Sequence, residues 1–150
     1  NKLSGYKGHM MGGVVLMIIV IHFFYHSFFS PSLLEIFWYV IIATMFALWP
    51  DVDIKSKGQK LFYIIFFITD MYLIFTSQFK ISAFFGLLII LPILSKHRGW
   101  THSYWAMLLI PSPILFYPMI SGDAFNFIGF PYYLAAITGY FSHLFLDKKV

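Results

Sequence analysis

Histidine and aspartate are the residue types in this chain that most clearly indicate chemistry, because they gather in four short clusters. The clusters are Gly8-His9, Pro50-Asp51-Val52-Asp53, His97-Arg98-Gly99-Trp100-Thr101-His102-Ser103 and Ser142-His143-Leu144-Phe145-Leu146-Asp147. Each cluster lies at the end of an apolar segment. If successive segments cross a membrane in alternate directions, all four clusters meet at one membrane face. The pattern predicts a metal site at that face, and a metal site there suggests hydrolysis.

The predicted metal ligands are four histidines and three aspartates, namely His9, Asp51, Asp53, His97, His102, His143 and Asp147. His143 and Asp147 are four residues apart, so a helix places them side by side. Asp51 and Asp53 follow a helix end, where both carboxylates can reach one site. The chain has no cysteine, and the remaining imidazole and carboxylate ligands suit zinc, manganese or iron.

Each of these groups also has an ordinary explanation. Asp147 can cap a helix, and Asp51 with Asp53 can form a solvated acidic turn. His97 and His102 would point about 140° apart on a continuous helix, so they converge only if Gly99 turns the chain. Thr101 is then expected to cap the helix that follows.

Composition identifies lipid as the solvent of this chain. Of its 150 residues, 60% are hydrophobic and 11% are charged, whereas soluble domains carry about 25% charged residues. The length fits a single domain over residues 1–150. The net charge is +4, but no basic stripe with interleaved stacking aromatics is present, so we expect no nucleic-acid partner.

The apolar segments predict an all-α, polytopic membrane helical bundle with five to six transmembrane helices. A crossing needs about 20 apolar residues, and the candidates are 10–29, 33–49, 61–77, 81–94, a fifth from Thr101, and 131–147. The fifth contains Pro111, Pro113 and Pro118, which interrupt helices. We therefore expect a half-length helix there, followed by an irregular stretch.

Lysine and arginine predict the orientation of the bundle. With six crossings, one side receives only Lys80, and the other receives Lys2, Lys7, Lys55, Lys57, Lys60, Lys96, Arg98, Lys148 and Lys149. Cytoplasmic loops carry the cationic excess, so both termini and the four clusters are expected to be cytoplasmic. Cations that bind an anionic substrate would produce the same bias.

Three ionisable residues lie away from the clusters. His22 and His26 lie about 20 Å and 25 Å along the first helix from His9, and Asp70 falls in the middle of the third segment. A carboxylate inside a membrane is costly and needs a partner. We expect Asp70 to pair with His22 or a tyrosine inside the bundle, while a proton path or second site stays open.

At these clusters the chain resembles the YdjM-like family of membrane-bound, metal-dependent, LexA-regulated hydrolases of the inner membrane. The matching pieces are Gly8-His9, Pro50-Asp51-Val52-Asp53 with Ser56 and Gln59, His97 through Ser103, and Gly139-Tyr140-Phe141-Ser142-His143 with Asp147. One departure is Ile54, where relatives often carry a further histidine. The family pattern is distantly similar to zinc-dependent phospholipase C, which implies a phosphoester bond and a membrane phospholipid as substrate.

The resemblance implies two or more divalent ions, with zinc favoured and manganese or iron as alternatives. Arg98, His102 and Asp53 are then the expected catalytic residues, with Arg98 neutralising phosphoryl oxygens, helped by Lys55 or Lys57. Hydroxyl groups of the same clusters are expected to orient the ligands; these are Thr101, Ser103 and Ser142.

Three other function classes compete with a metal-dependent hydrolase. A metal-independent lipid phosphatase would also use a pair such as His143 and Asp147, but it needs several arginines and a Pro-Ser-Gly-His element, and this chain has one arginine and no such element. A cation transporter would place its ligands near the membrane midplane. A non-catalytic membrane protein would hold the metal in a closed, four-ligand structural site. The oligomeric state is left open by the sequence.

Overall fold

The computed structural model describes residues 5–52, 57–94, 100–124 and 127–147. Three predicted site residues, Asp53, His97 and Arg98, lie outside these ranges. Within the ranges the chain is helical and contains no β-strand. The helices are α1 (Tyr6–Val20), α2 (His26–Phe28), α3 (Leu33–Leu48), α4 (Lys57–Phe75), α5 (Phe79–Leu94), α6 (Tyr104–Leu109), α7 (Ser112–Leu115), α8 (Tyr117–Ser121) and α9 (Phe130–Asp147).

The boundaries of α3 follow from capping and proline chemistry. Its start is a capping box, in which the Ser32 hydroxyl accepts from the Glu35 backbone N–H at 3.3 Å and the Glu35 carboxylate accepts from the Ser32 N–H at 2.8 Å. This box satisfies two of the free N–H groups of the first turn. At its other end α3 tightens into the 3-10 turn Trp49–Asp51, which contains Pro50. The turn places the Asp51 carboxylate immediately beyond the helix.

The bundle is built on α1, α3 and α9, each of which packs against the other two. Small residues allow this packing. A Cβ on Gly139 of α9 would collide with the Ala43 backbone of α3, and a Cβ on Gly13 of α1 would lie 2.8 Å from the Ala47 Cβ. Glycine therefore lets the helix backbones approach directly. The start of α1 and the ends of α3 and α9 consequently lie at one end of the bundle.

The helices α4 and α5 form a second layer against α3. Phe66 and Phe85 stack between them with ring centroids 4.7 Å apart, and the Trp49 indole N–H donates to the Leu88 carbonyl at 3.0 Å. Ile64 and Phe67 of α4 are more than half exposed. Exposed side chains of this kind suit contact with lipid rather than water.

Among the described residues, three helical stretches are long and apolar enough to cross a membrane: Tyr6–Phe28, Leu33–Asp51 and Lys57–Phe75. Phe79–Leu91 and Tyr104–Leu115 are shorter apolar stretches. The proline-containing fifth segment is divided into the short helices α6, α7 and α8, with prolines in the first turns of α7 and α8. The fold is therefore all-helical with three candidate spans, and five to six crossings stay a prediction.

The polar residues remote from the clusters have partners that differ from those expected. The Asp70 carboxylate accepts a hydrogen bond from the Ser82 hydroxyl of α5 at 2.6 Å, so the expected pairing with His22 or a tyrosine is wrong. His22 and His26 lie on the exposed side of their helix. Because α4 and α5 are antiparallel neighbours joined by a short turn, Ser82 lies next to Asp70. The uncharged serine hydroxyl supplies the hydrogen bond that the partly buried carboxylate needs.

Gly139→Ala tests the central packing. The added methyl group would enter the Ala43 backbone of a neighbouring helix, and overpacking of this kind costs about 1–3 kcal/mol. We expect a lower midpoint of thermal unfolding for the detergent-solubilised protein, followed by tryptophan fluorescence. Gly86→Ala is the matched control, because its Cβ would meet open space within α5. Equal midpoints for the two variants would contradict this account of the packing.

Candidate metal centre

Five of the seven predicted ligands converge at one end of the three-helix core. His9 lies in the first turns of α1, Asp51 in the turn after α3, and His143 and Asp147 in the last turns of α9. His102 lies just before α6. Asp53 and His97 fall outside the described residues, so their predicted participation stays a prediction.

The donor atoms of this His/Asp cluster (His9, Asp51, His102, His143 and Asp147) lie close together. The Nε2 atom of His143 is 3.2 Å from Asp147 Oδ2 and 3.8 Å from Asp51 Oδ1. The Nε2 atom of His102 is 3.4 Å from each of the same two oxygen atoms and 3.3 Å from His143 Nε2. The Nε2 atom of His9 is 3.3 Å from Asp147 Oδ1. Ligand atoms from sequence positions 9 to 147 therefore share one small volume.

Most of these separations fit ligands around a small cation. A tetrahedral zinc ion with bonds of about 2.0–2.2 Å places its ligand atoms about 3.3–3.6 Å apart. In the part of the chain that the structure describes, two groups of three have all donor atoms within 4.8 Å of one another: His9 with His143 and Asp147, and Asp51 with His102 and His143. Three protein ligands leave one tetrahedral position for water or substrate, as catalytic zinc sites do. The cluster thus has the donors and spacing to hold a divalent metal.

Burial of His9 is the strongest indication that a cation belongs here. His9 is 1% exposed, and neither ring nitrogen has a hydrogen-bond partner within the described part of the chain. Its ring stacks on that of His143 with centroids 4.1 Å apart. A buried polar group without a hydrogen bond is costly, and the 3.3 Å approach of His9 Nε2 to Asp147 Oδ1 does not meet the geometry of one. A cation bound beside Asp147 would use the free nitrogen and remove that cost.

The orientation of His143 is set by the backbone of α3. Its Nδ1 atom lies 2.8 Å from the Ala47 carbonyl oxygen. A carbonyl only accepts, so Nδ1 carries the proton and Nε2 presents its lone pair to the cluster. The Ala47 carbonyl is available because the last four carbonyls of a helix lack intrahelical partners. Ligating histidines usually have such a partner on the second nitrogen.

The orientation of His102 depends on a chain of polar contacts from α9. The Tyr140 hydroxyl donates to the Thr101 carbonyl at 2.5 Å, and the Thr101 hydroxyl lies 3.2 Å from His102 Nδ1. Thr101 is fully buried. Tyr140 therefore holds the segment that carries His102, a role that inspection of the sequence did not assign to it.

The hydroxyl residues of the clusters take different roles from those expected. Ser103, not Thr101, caps α6, since its hydroxyl accepts from the Ala106 N–H at 3.1 Å. Ser142 donates to the Gly139 carbonyl of its own helix at 2.7 Å. Of the three expected orienting hydroxyls, Thr101 contacts a cluster histidine directly. Thr101 is buried beside His102, and its hydroxyl contacts the imidazole instead of capping α6.

Tyr140→Phe tests this arrangement. Removing the hydroxyl frees the Thr101 carbonyl and loosens His102, and loss of an orienting partner weakens metal binding by about 10–100-fold. Zinc affinity of the purified protein, measured by competition with a fluorescent chelator, is the readout. The control is Tyr133→Phe, which removes a 3.0 Å hydrogen bond from α9 to the Leu108 carbonyl, away from the cluster. Equal zinc affinities for the two variants, with equal unfolding midpoints, would refute the role of Tyr140.

Comparison with known proteins agrees with this membrane architecture. The family model described as YdjM inner membrane protein matches residues 5–148, a range that includes all four His/Asp-containing clusters. No curated protein and no solved structure matches the chain. The match extends over nearly the whole sequence, and the chain belongs to the YdjM inner membrane protein family.

Proposed function

We propose that this protein is a membrane-embedded, metal-dependent hydrolase that cleaves a phosphoester bond in a phospholipid-type substrate. The observation that carries the proposal is the buried His9 imidazole, stacked on His143. Its ring nitrogens form no hydrogen bond within the described residues, although Nε2 lies 3.3 Å from the Asp147 carboxylate. A helix bundle that needed only packing would place an apolar side chain there. We take phosphoester hydrolysis as the reaction from the distant likeness to zinc-dependent phospholipase C.

The proposed metal centre holds two or more divalent ions, with zinc favoured and manganese or iron as alternatives. His9, His143 and Asp147 supply one set of ligands. Since the Nε2 atom of His143 binds a single ion, a second ion would rely on Asp51 and His102. The ligands proposed to complete that second set are Asp53 and His97.

The cluster residues differ in how far their side chains are exposed. Side chains of Asp51, His102 and Asp147 are 23–34% exposed, whereas those of His9 and His143 are 2% and 0% exposed. Water and substrate therefore approach from the side of the first three. A divalent ion there would supply Lewis-acid chemistry, acidifying water and neutralising phosphoryl charge. We propose His102 and Asp53 as catalytic residues because they would hold the ion that activates the water, and Arg98, with Lys55 or Lys57, as the anchor for phosphoryl oxygens.

Aromatic residues around His102 support a lipid as substrate. Trp100, Tyr104 and Trp105 flank it in the chain and are 41%, 48% and 74% exposed. Tryptophan and tyrosine concentrate at headgroup depth in membranes. A cluster at this depth would meet the headgroup of a lipid that stays in the bilayer.

The proposed topology places the cluster and both termini on the cytoplasmic side of the inner membrane, in a chain of five to six crossings. The support is the distribution of cations, with nine of ten on the cluster side of that topology and the preference of such residues for cytoplasmic loops. Periplasmic access of a thiol reagent to Val150→Cys would contradict it.

A second function is a non-catalytic membrane protein stabilised by a structural metal. The near-complete burial of His9 and His143 favours it, because structural sites are closed. The two functions share the metal and differ in turnover, so one experiment addresses both.

The test is metal content by elemental mass spectrometry and hydrolysis of phospholipid and phosphodiester substrates by the same preparation. We expect two or more equivalents of transition metal in the parent. The double variant His102→Ala, Asp51→Ala should lose metal, with a fall in hydrolysis of about 100-fold or more. The control is His22→Ala, His26→Ala, which removes two exposed imidazoles away from the cluster and should behave as the parent.

Three results decide between the functions. Metal and hydrolysis lost together in the double variant would support the hydrolase. Metal bound without hydrolysis of any phosphoester would favour the structural site. Metal content at background in the parent, after purification without chelator and with added zinc and manganese, would reject both.

A further inference from the structure

An apolar cavity of about 370 Å³ lies in the second layer of the bundle, further along the helices from the His/Asp cluster. The helices α3, α4 and α5 and the segment from α6 to α9 enclose it, with walls that include Trp38, Met45, Leu73, Phe84 and Ile110. Its volume falls within the range of small-molecule sites, about 300–1,000 Å³. The lining contains no charged residue, so a lipid headgroup would have no ion-pair partner inside it.

The cavity follows α3 towards the cluster. Its lining includes Trp38 and Phe46 of α3, eight residues apart, which corresponds to about 12 Å of helix. Asp51 comes five residues after Phe46, within about 8 Å along the same axis. On the opposite wall, Ile110, directly after α6, is eight residues after His102. Two elements that line the cavity thus continue in sequence to Asp51 and His102.

A smaller cavity of about 10 Å³ continues this apolar path. It shares Met45, Phe46 and Leu88 with the larger cavity and extends to Trp49, which is two residues before Asp51. The apolar lining therefore extends along α3 to Trp49, at the same end of the helix as Asp51. At the surface, Tyr72 and Ile128 of the lining are exposed, which gives lipid a lateral entrance.

We propose that this cavity holds a hydrocarbon chain of the substrate lipid, with the headgroup of the same lipid at the His/Asp cluster. The inference rests on the proposed function and adds the part of the substrate that the cluster does not contact. Apolar walls suit a hydrocarbon chain, since small-molecule sites are lined mainly by hydrophobic and aromatic side chains. When the headgroup and the chain of one lipid both bind the protein, binding of one end raises the effective concentration of the other end at its site.

The test is photolabelling in vesicles of phosphatidylglycerol, doped with phosphatidylglycerol that carries a diazirine on one acyl chain. The full-length protein is reconstituted with zinc, irradiated and digested, and the labelled peptides are mapped by mass spectrometry. We expect labelling on cavity peptides of α3 and α5. Leu73→Trp should fill the cavity and lower this labelling by about tenfold, the scale of lost apolar contacts in a pocket.

The matched control is Ile68→Trp, which adds the same side chain to an exposed position of α4 outside the cavity lining. It should label as the parent does. The unfolding midpoints of both variants are compared first, so that a loss of folding is recognised. Equal labelling of the two variants, or labelling spread over the exposed helix faces, would overturn the inference.

A further variant separates substrate from bulk lipid. In His102→Ala, Asp51→Ala the headgroup loses its site, so cavity labelling should fall by about tenfold. Unchanged labelling in that variant would mean that bulk lipid fills the cavity, which overturns the inference. Cavity labelling that depends on the cluster, in a protein that hydrolyses no phosphoester, would uphold lipid binding while the proposed hydrolase activity fails.

Discussion

The contact between α3 and α9 is the constraint on which the rest of the structure depends. Gly139 lies against the Ala43 backbone, and one turn further along each helix the His143 imidazole meets the Ala47 carbonyl at 2.8 Å. Both contacts require the two helix backbones to be within direct reach. Because the two helices are this close, His143 is buried and its Nδ1 atom donates to the Ala47 carbonyl. Its Nε2 atom then points towards the other cluster residues.

The remaining ligands arrive because other helix ends are fixed against this pair. Gly13 brings α1 onto Ala47, which places His9 over His143. Pro50 ends α3 in a tight turn, so Asp51 faces the same point. Tyr140, on α9 itself, holds the segment of His102. A polar cluster is thus supported by helices whose other side chains are almost entirely apolar, and a shared cation would offset the cost of burying its imidazoles.

Much of this arrangement could be predicted from the sequence. The four clusters indicated convergence at one end of an all-helical membrane bundle, because apolar segments of known length have few ways to be arranged. Residue type does not reveal backbone partners, so the Ala47 carbonyl and the Tyr140 hydroxyl were not foreseen. The partner of Asp70 was missed for a related reason, since a serine on the next helix is unremarkable until the α4–α5 hairpin places it there. The short helices α6 to α8 show why the number of crossings could not be counted from hydrophobicity alone.

Zinc-edge X-ray absorption on the zinc-loaded, detergent-purified protein tests the central claim most directly. The account predicts nitrogen and oxygen ligands at about 2.0–2.2 Å, with the outer-shell scattering characteristic of imidazole, and loss of part of the imidazole signal in His143→Ala. A shell of oxygen atoms alone, without imidazole scattering, would show that zinc binds elsewhere and that the His/Asp cluster is not a metal centre.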